Sequence, residues 1–294
     1  MKYHNPIITG FHPDPSVCRV GNDFYLVNSS FEYFPGIPIY HSTDLTHWEQ
    51  IGHVLDRKNQ LKLVSGAPNC LGIYAPTIRY HEGIFYCIVT NVGGRSGGNF
   101  FVYTTDPYGR WSNPVKLPFA GIDPSLFFDE DGRIYYTGTD TGIYIAEITF
   151  DVVRNDTPKR NELPVSIQNV KCGEKHYIWN GSGGNNPEGP HLYRIHDMYY
   201  LMIAEGGTEY CHMVTIARSK NVYGPYEACP HNPVLSNRST CLNIKAIGHA
   251  DLVEDSQGSW WAVCLGIRPL GYPFRHNLGR ETMLAPVKWE NGWP

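Results

Sequence analysis

Phe11-His12-Pro13-Asp14-Pro15-Ser16-Val17, followed after the polar turn Val20-Gly21-Asn22-Asp23 by the apolar run Phe24-Tyr25-Leu26-Val27, is the stretch that decides the fold. The same unit returns four times. Tyr74-Ala75-Pro76-Thr77-Ile78 precedes Phe85-Tyr86-Cys87-Ile88-Val89, and Asp123-Pro124-Ser125-Leu126 precedes Ile134-Tyr135-Tyr136. Glu188-Gly189-Pro190-His191-Leu192 precedes Tyr199-Tyr200-Leu201-Met202, and His249-Ala250-Asp251-Leu252 precedes Trp260-Trp261-Ala262-Val263. Each copy reads as strand, tight polar turn, aromatic strand. Aligned on Asp14, Ala75, Asp123, Gly189 and His249, the copies are spaced by 61, 48, 66 and 60 residues. That period is somewhat longer than a four-stranded propeller blade and fits one with generous loops.

A second echo supports the repeat. Ser42-Thr43-Asp44-Leu45-Thr46-His47-Trp48, Thr104-Thr105-Asp106-Pro107-Tyr108-Gly109-Arg110-Trp111 and Ser219-Lys220-Asn221-Val222-Tyr223-Gly224-Pro225-Tyr226 share a hydroxyl, an Asn or Asp, a turn and an aromatic. Hydroxyl and Asx side chains close such turns on their own backbone. In each case the turn follows a third strand (Ile39-Tyr40, Phe101-Val102-Tyr103, Thr215-Ile216-Ala217). The expected fold is all-β: a five-bladed β-propeller, with blades of about four antiparallel strands around a central funnel. Residues 1–294 form one domain, divided at 1–56, 57–113, 114–170, 171–235 and 236–294.

Composition agrees with a large globular domain: 41% of the 294 residues are hydrophobic and 18% charged, while 30 glycines and 22 prolines supply turns. A net charge of -4 carries no basic field, which argues against nucleic acid as a partner. No run approaches membrane-spanning length, and the N-terminal residues show no apolar leader, so the expected setting is cytoplasmic. The eight cysteines have no zinc-like spacing; Cys87 and Cys264, inside apolar runs, are expected to be buried thiols.

In a propeller the first strand of each blade is innermost, so equivalent residues at one end of those strands converge on the axis. The converging set is Asp14, Tyr74/Ala75, Asp123, Glu188 and His249: three carboxylates and an imidazole. A lone acid at such a place usually satisfies turn amides. Three acids clustered in a funnel are too costly to keep unless something uses them. Two carboxylates flanking a sugar can hydrolyse a glycoside, one protonated to serve the leaving oxygen and the other ionised. The loop Asn28-Ser29-Ser30-Phe31-Glu32-Tyr33-Phe34-Pro35-Gly36 is expected to cap the mouth, with Phe31 either a platform for a sugar face or a plug between blades. Tyr74 is placed as a pocket wall. The loop Trp179-Asn180-Gly181-Ser182-Gly183-Gly184-Asn185-Asn186-Pro187 reads as flexible enough to bring backbone close to a ligand. Gly93-Gly94-Arg95-Ser96-Gly97-Gly98 reads as a hairpin loop rather than a phosphate site, and the segment Asp151 to Pro164 as a surface crossing.

The motifs around Asp14, Asp44, Ala75, Asp123 (Gly121-Ile122-Asp123-Pro124-Ser125) and Glu188 (Pro187-Glu188-Gly189-Pro190-His191-Leu192), with Leu278-Gly279-Arg280-Glu281-Thr282, resemble glycoside hydrolase family 43 over nearly the whole chain. The likeness is to its β-xylosidase and α-L-arabinofuranosidase members. The resemblance implies a five-bladed propeller and hydrolysis with inversion. It makes Asp14 the general base, Glu188 the general acid, Asp123 the residue that tunes and orients Glu188, and Arg280 a contact to substrate and base. It also implies that His249 is the only protein ligand of a hydrated calcium ion. Against that stands a His that merely hydrogen-bonds inside the funnel, since calcium prefers oxygen. Related β-xylosidases often carry a C-terminal β-sandwich; this sequence stops at Trp293-Pro294 directly after the propeller, so such a domain is either naturally absent or left out of this stretch.

The resulting expectation is an inverting exo-glycosidase releasing α-L-arabinofuranosyl or β-1,4-xylosyl units from arabinoxylan or xylo-oligosaccharides, with no cofactor needed for the chemistry. Two alternatives stay open: a carbohydrate-binding propeller without catalysis, and an endo-arabinanase on the same fold.

Overall fold

The computed structural model describes residues 3–63, 68–93, 97–271, 273 and 275–294. Residues 94–96 of the glycine loop, and 272 and 274 of the segment before Arg280, lie outside them. Five antiparallel sheets follow one another along the chain, and among the described residues there is no helix. In the first blade β1 (Ser16–Val20), β2 (Asp23–Val27), β3 (Gly36–Ser42) and β4 (Glu49–Leu55) are neighbours in that order. In the second, β5 (Gly72–Ile73) and β6 (Thr77–His81) both pair with β7 (Ile84–Val92), followed by β8 (Gly98–Thr104) and β9 (Val115–Lys116). The third holds β10 (Ile122–Phe128), β11 (Ile134–Thr139), β12 (Ile143–Arg154) and, both on the edge of β12, β13 (Val165–Cys172) and β14 (His176–Trp179). The fourth runs β15 (Glu188–Ile195), β16 (Met198–Glu205), β17 (Met213–Ser219) and β18 (Glu227–Ala228). The fifth runs β19 (Lys245–Glu254), β20 (Trp260–Ile267) and β21 (Glu281–Val287).

The repeat read from the sequence is therefore the blade, with three adjustments. The third blade extends past residue 170, because the long strand β12 offers an edge that accepts two partners in succession. Asp151 to Arg154, expected in a surface crossing, are the exposed end of that strand. The fifth blade has three strands of its own, and the N-terminal segment laces onto β21 where a fourth would lie. The backbone of Ile8 bridges Thr282, and the Asn5 side chain both donates to the Leu284 carbonyl (2.8 Å) and accepts from its N–H (2.8 Å). Joining the two ends of the chain in one sheet closes the ring and covers an edge that would otherwise be free to pair.

The aromatic second strands supply the packing between blades. Tyr86, Tyr135, Tyr136 and Tyr144 are fully buried, as are Leu26, Val263 and Cys264. Burying one such side chain stabilises by roughly 1.5–3 kcal/mol. Cys87 and Cys264 are buried thiols as expected, Cys18 and Cys229 are buried too, and all eight cysteines are free. The second echo closes its turns as expected. Ser42 Oγ accepts from Asp44 N (3.1 Å), Thr104 Oγ1 from Asp106 N (3.1 Å) and Ser219 Oγ from Asn221 N (3.1 Å).

The inner strands carry the feature that positions the site. Asp14, Asp123, Gly189 and His249, each at the aligned position of its blade, have left-handed backbone with φ of 52°, 53°, 60° and 47°. At three of them the pairing slips: between Ile122 and Ser125, Glu188 and His191, and Gly248 and Asp251. These are β-bulges, which re-aim a side chain out of the alternating pattern. Holding a non-glycine residue in that region costs about 1–3 kcal/mol, which the surrounding sheet must offset. Prolines 15, 124 and 190 follow directly and, having no N–H, lose no ladder bond at the bulge. In the second blade the inner strand is interrupted at 74–76, between β5 and β6.

Two to four residues further along the inner strands, the ring is tied together on its axis. Asp251 accepts from Ser16 Oγ (2.6 Å) and Val17 N (3.1 Å) of the first blade, from Arg79 Nη1 (2.7 Å) and Nη2 (3.1 Å) of the second, and from Tyr193 Oη (2.6 Å) of the fourth. His191 Nδ1 lies 3.0 Å from Arg79 Nη2 and 3.3 Å from Ser125 Oγ of the third blade. All five blades thus meet at one buried ion pair. Burial alone would raise the Asp251 carboxyl, but Arg79, His191 and the Ser16 hydroxyl together outweigh it and hold it well below the usual carboxylate range.

Candidate active site

Asp14, Asp123, Glu188, His249, Arg280, Phe31 and Tyr74, together with Ala75, line one cavity of about 610 Å³ at the end of the axis beyond the Asp251 layer. These eight were all selected from the sequence. The bulges bring them together: a regular strand would turn alternate side chains away from the axis, whereas the left-handed residues aim Asp14, Asp123 and His249 at it.

Asp14 is buried. Its Oδ2 accepts from Ser29 Oγ at 2.6 Å and its Oδ1 from Arg280 Nη1 at 3.1 Å, with His249 Nδ1 at 4.0 Å. Burial pushes its proton affinity up, but Arg280, His249 and the Ser29 hydroxyl together hold the carboxyl below its ordinary value. Glu188 moves the opposite way. Burial, reinforced by the charge of Asp14, pushes it up to about 7, with Arg280 opposing. Asp123 is also raised, by burial and by Glu188 and Asp14 beside it. Asp123 and Glu188 therefore titrate as a pair that retains a proton where an ordinary carboxyl would have lost it. Asp123 reaches Glu188 through the backbone: its Oδ2 accepts the N–H of Gly189 at 3.1 Å.

One wall is aromatic. Tyr33, Phe11, Phe31 and Tyr74 form a chain of rings with successive centroids 5.9, 5.8 and 5.3 Å apart, and the Arg280 guanidinium lies 5.2 Å from the Phe31 centroid. Of the three aromatics expected at the mouth, Phe31 is buried against the site, Tyr33 lines the cavity while largely exposed, and Phe34 is exposed outside it. Neither Tyr33 nor Phe34 plugs a blade interface. The loop before Glu188 also differs from expectation: residues 181–185 do not line the cavity, because their backbone is bonded inward to β16.

His249 is buried, and burial lowers its proton affinity more than Asp14 raises it. Its ring lies flat against Gly189, where a Cβ would meet His249 Cε1 at 3.0 Å. Calcium takes six to eight oxygens, and among the described residues no three His, Cys, Asp or Glu side chains are grouped to hold an ion. That disfavours a cage of several protein ligands; the arrangement the resemblance implies is a different one, a hydrated ion with His249 as its single protein ligand and water in the other positions.

Sequence reasoning missed Phe11 as a wall, Ser29 as the partner of Asp14, and Glu32, Asn69, the segment 208–210 and His276 as lining. Phe11, Ser29 and Glu32 sat inside stretches already singled out, and adjacency to Asp14 or Phe31 was a signal for each. The others arrive from loops of separate blades, where no local pattern marks them.

An all-β ring of five blades, with an axial funnel holding carboxylates of opposed proton affinity beside an aromatic wall, is an architecture of the glycoside-hydrolase kind. Residues 3–294 match the model of glycosyl hydrolases family 43, and the chain belongs to that family. It is 50% identical over 297 residues to a non-reducing end alpha-L-arabinofuranosidase of Bacteroides ovatus, covering 99% of this chain and 53% of that protein. It is 38% identical to a beta-xylosidase of Bacillus subtilis, covering 100% of this chain and 56% of that protein. Among solved structures, a xylan beta-1,4-xylosidase from Bacillus halodurans superposes with a TM-score of 0.86 at 38% identity, over 99% of this chain and 55% of that one. The chain spans about half the length of the curated relatives it matches.

Proposed function

We propose that this propeller is the catalytic unit of an inverting exo-glycosidase that releases non-reducing-end pentoses, α-L-arabinofuranosyl or β-1,4-xylosyl, from arabinoxylan or xylo-oligosaccharides. The observation that carries the reading is the pair of opposed carboxyls: Asp14 held below its ordinary value and Glu188 raised to about 7 on the same cavity. Near neutral pH one is an acceptor while the other still has a proton to give, which is the division of labour that inversion requires.

In this mechanism Asp14 takes a proton from a water molecule as its oxygen attacks the anomeric carbon. Glu188 gives its proton to the glycosidic oxygen as the carbon–oxygen bond breaks on the opposite face. The products are a sugar of inverted configuration and a free hydroxyl on the remainder. Asp14 ends protonated and Glu188 ionised, and exchange with solvent resets both. Asp123, bonded to Gly189 N, fixes the backbone beside the acid and keeps its proton affinity high. Arg280 holds Asp14 in place, and Phe31 and Tyr74 offer a face to the sugar ring. The relatives, one an arabinofuranosidase and one a beta-xylosidase, support the substrate class.

The test uses 4-nitrophenyl α-L-arabinofuranoside and β-D-xyloside. Asp14→Asn is expected to lose at least about a thousandfold on both. Glu188→Gln should lose about a hundredfold or more on substrates with poor leaving groups and much less on activated ones, because an activated leaving group needs little protonation. Wild-type turnover in either variant refutes the assignment.

A further inference from the structure

We propose that Glu205 is a positioning residue for this reaction: its buried carboxylate gathers the backbone of the glycine-rich segment 181–184 and thereby fixes the approach to Glu188. The inference rests on Glu188 being the general acid, and it concerns a residue that does not touch the cavity.

Glu205 is the last residue of β16, beside the start of β15, where Ala204 is paired with Glu188. It is fully buried. Its Oε1 accepts from Ser182 N (3.0 Å) and Gly184 N (2.7 Å), and its Oε2 from Ser182 N (2.9 Å), Ser182 Oγ (2.9 Å) and Thr215 Oγ1 (2.5 Å). Both oxygens are occupied, and every donor except Thr215 belongs to the segment leading to Glu188. A carboxylate suits this role because it only accepts, and it takes several N–H and O–H groups at once from a stretch with no strand to satisfy them. The sequence is shaped around it. A Cβ on Gly181 would stand 2.5 Å from Glu205 Oε1, and one on Gly184 would stand 2.7 Å from Met213 Cε and 2.9 Å from Glu205 Cβ. The glycines that read as flexibility are there to let the segment close onto the carboxylate.

The path continues under restraint to the acid itself. Gly206 N donates to Asn185 O at 2.6 Å, and Thr139 Oγ1 donates to Pro187 O at 2.8 Å. Positions 182, 184, 185 and 187 are each tied, and Glu188 follows. A segment with three glycines in four residues has much conformational freedom to lose, and the Glu205 carboxylate supplies the larger share of what holds it. A displacement of about 1 Å in a catalytic group is enough to lose about a hundredfold in rate.

The experiment compares Glu205→Ala and Glu205→Gln with the parent protein on a series of aryl and alkyl pentosides of decreasing leaving-group ability. Glu205→Ala is expected to lose about a hundredfold in kcat on the poorest leaving groups and less than about fivefold on the most activated, with KM changed less than about threefold. Glu205→Gln should stay within about threefold throughout. Its amide oxygen can keep the Ser182 and Gly184 N–H groups, while the two hydroxyls turn to accept from its NH₂. If Glu205→Ala does not fold, Gly184→Ala serves in its place, pushing the segment off the carboxylate, and should show the same leaving-group dependence. Equal losses across the series, or wild-type behaviour of the Ala variant, overturn the proposal. Glu188→Gln is run on the same series. A flat profile there sinks the acid assignment, whereas a steep Glu188→Gln profile beside a flat Glu205→Ala profile sinks the Glu205 inference alone.

Discussion

Replacing Arg280 by Met tests the electrostatics of the site most directly, because Arg280 acts on both members of the carboxyl pair. Its Nη1 donates to Asp14 Oδ1 at 3.1 Å and holds that carboxyl down, and it also pulls Glu188 down. Without the cation, burial acts on Asp14 with His249, Ser29 and His212 opposing. An aspartate beside an arginine is typically lowered by about 1–3 pKa units, so the acid limb of kcat/KM, which reports ionisation of Asp14, should rise by that amount. Arg280 acts on Glu188 by charge through space, so Glu188 should rise by under about one unit, carrying the alkaline limb from about 7 to slightly higher pH. Both limbs therefore move the same way, the acid limb further, and the bell narrows as it shifts. Its height should fall about ten- to a hundredfold, the equivalent of losing one hydrogen bond to a charged group at about 1.5–3 kcal/mol. Initial rates on 4-nitrophenyl arabinofuranoside across about pH 4 to about pH 9 read both limbs and the height. A bell that loses height while both limbs stay in place would make Arg280 a substrate contact only, and the electrostatic account of the pair would fail.

The axial ion pair and the carboxyl pair give two more predictions. Arg79→Met strands the Asp251 charge in the interior, which costs about 3–5 kcal/mol, or a fall in Tm of roughly 6–20 °C for a chain of this size. Much of that should return in Arg79→Met/Asp251→Leu, and a single variant melting within a degree or two of the parent would show that the ring does not depend on its hub. Because Asp251 is depressed in the folded state, its contribution is present above the ordinary carboxylate range and is lost as pH falls toward its native value. Exhaustive chelation with EDTA should leave kcat/KM on both nitrophenyl glycosides within about twofold, since Asp14 and Glu188 between them move both protons of the proposed step. Loss of activity restored by calcium alone would overturn that reading.

The bulged inner strands show how one local device served several ends. At Asp14, Asp123 and His249 it aims a functional side chain at the axis. At Gly189 the same left-handed turn brings the chain flat against the His249 ring and leaves the preceding residue, Glu188, facing the cavity. The acid is therefore offset by one position from the base. The offset is already visible in the repeat, where the motif aligns on Gly189 while the acid is its neighbour Glu188.

What the chain disclosed on its own was anything that recurs. Five copies of a proline-marked inner strand and an aromatic second strand named the propeller, since each copy has one face to bury and only a ring of neighbours buries them all. The same recurrence selected Asp14, Asp123, Glu188 and His249, because equivalent positions in a ring must converge. Arg280, Phe31 and Tyr74 were reached by motif and by adjacency. Tertiary structure alone decided matters that depend on one blade meeting another. It set the opposed proton affinities of Asp14 and Glu188, which arise from burial and from Arg280 placed 266 residues away in sequence. It lodged Asp251 against Arg79 at the hub, and it turned a glycine-rich stretch that reads as loose into one held by Glu205. Charge and burial act through space, and a linear pattern carries no distance between residues that only the closed ring brings together.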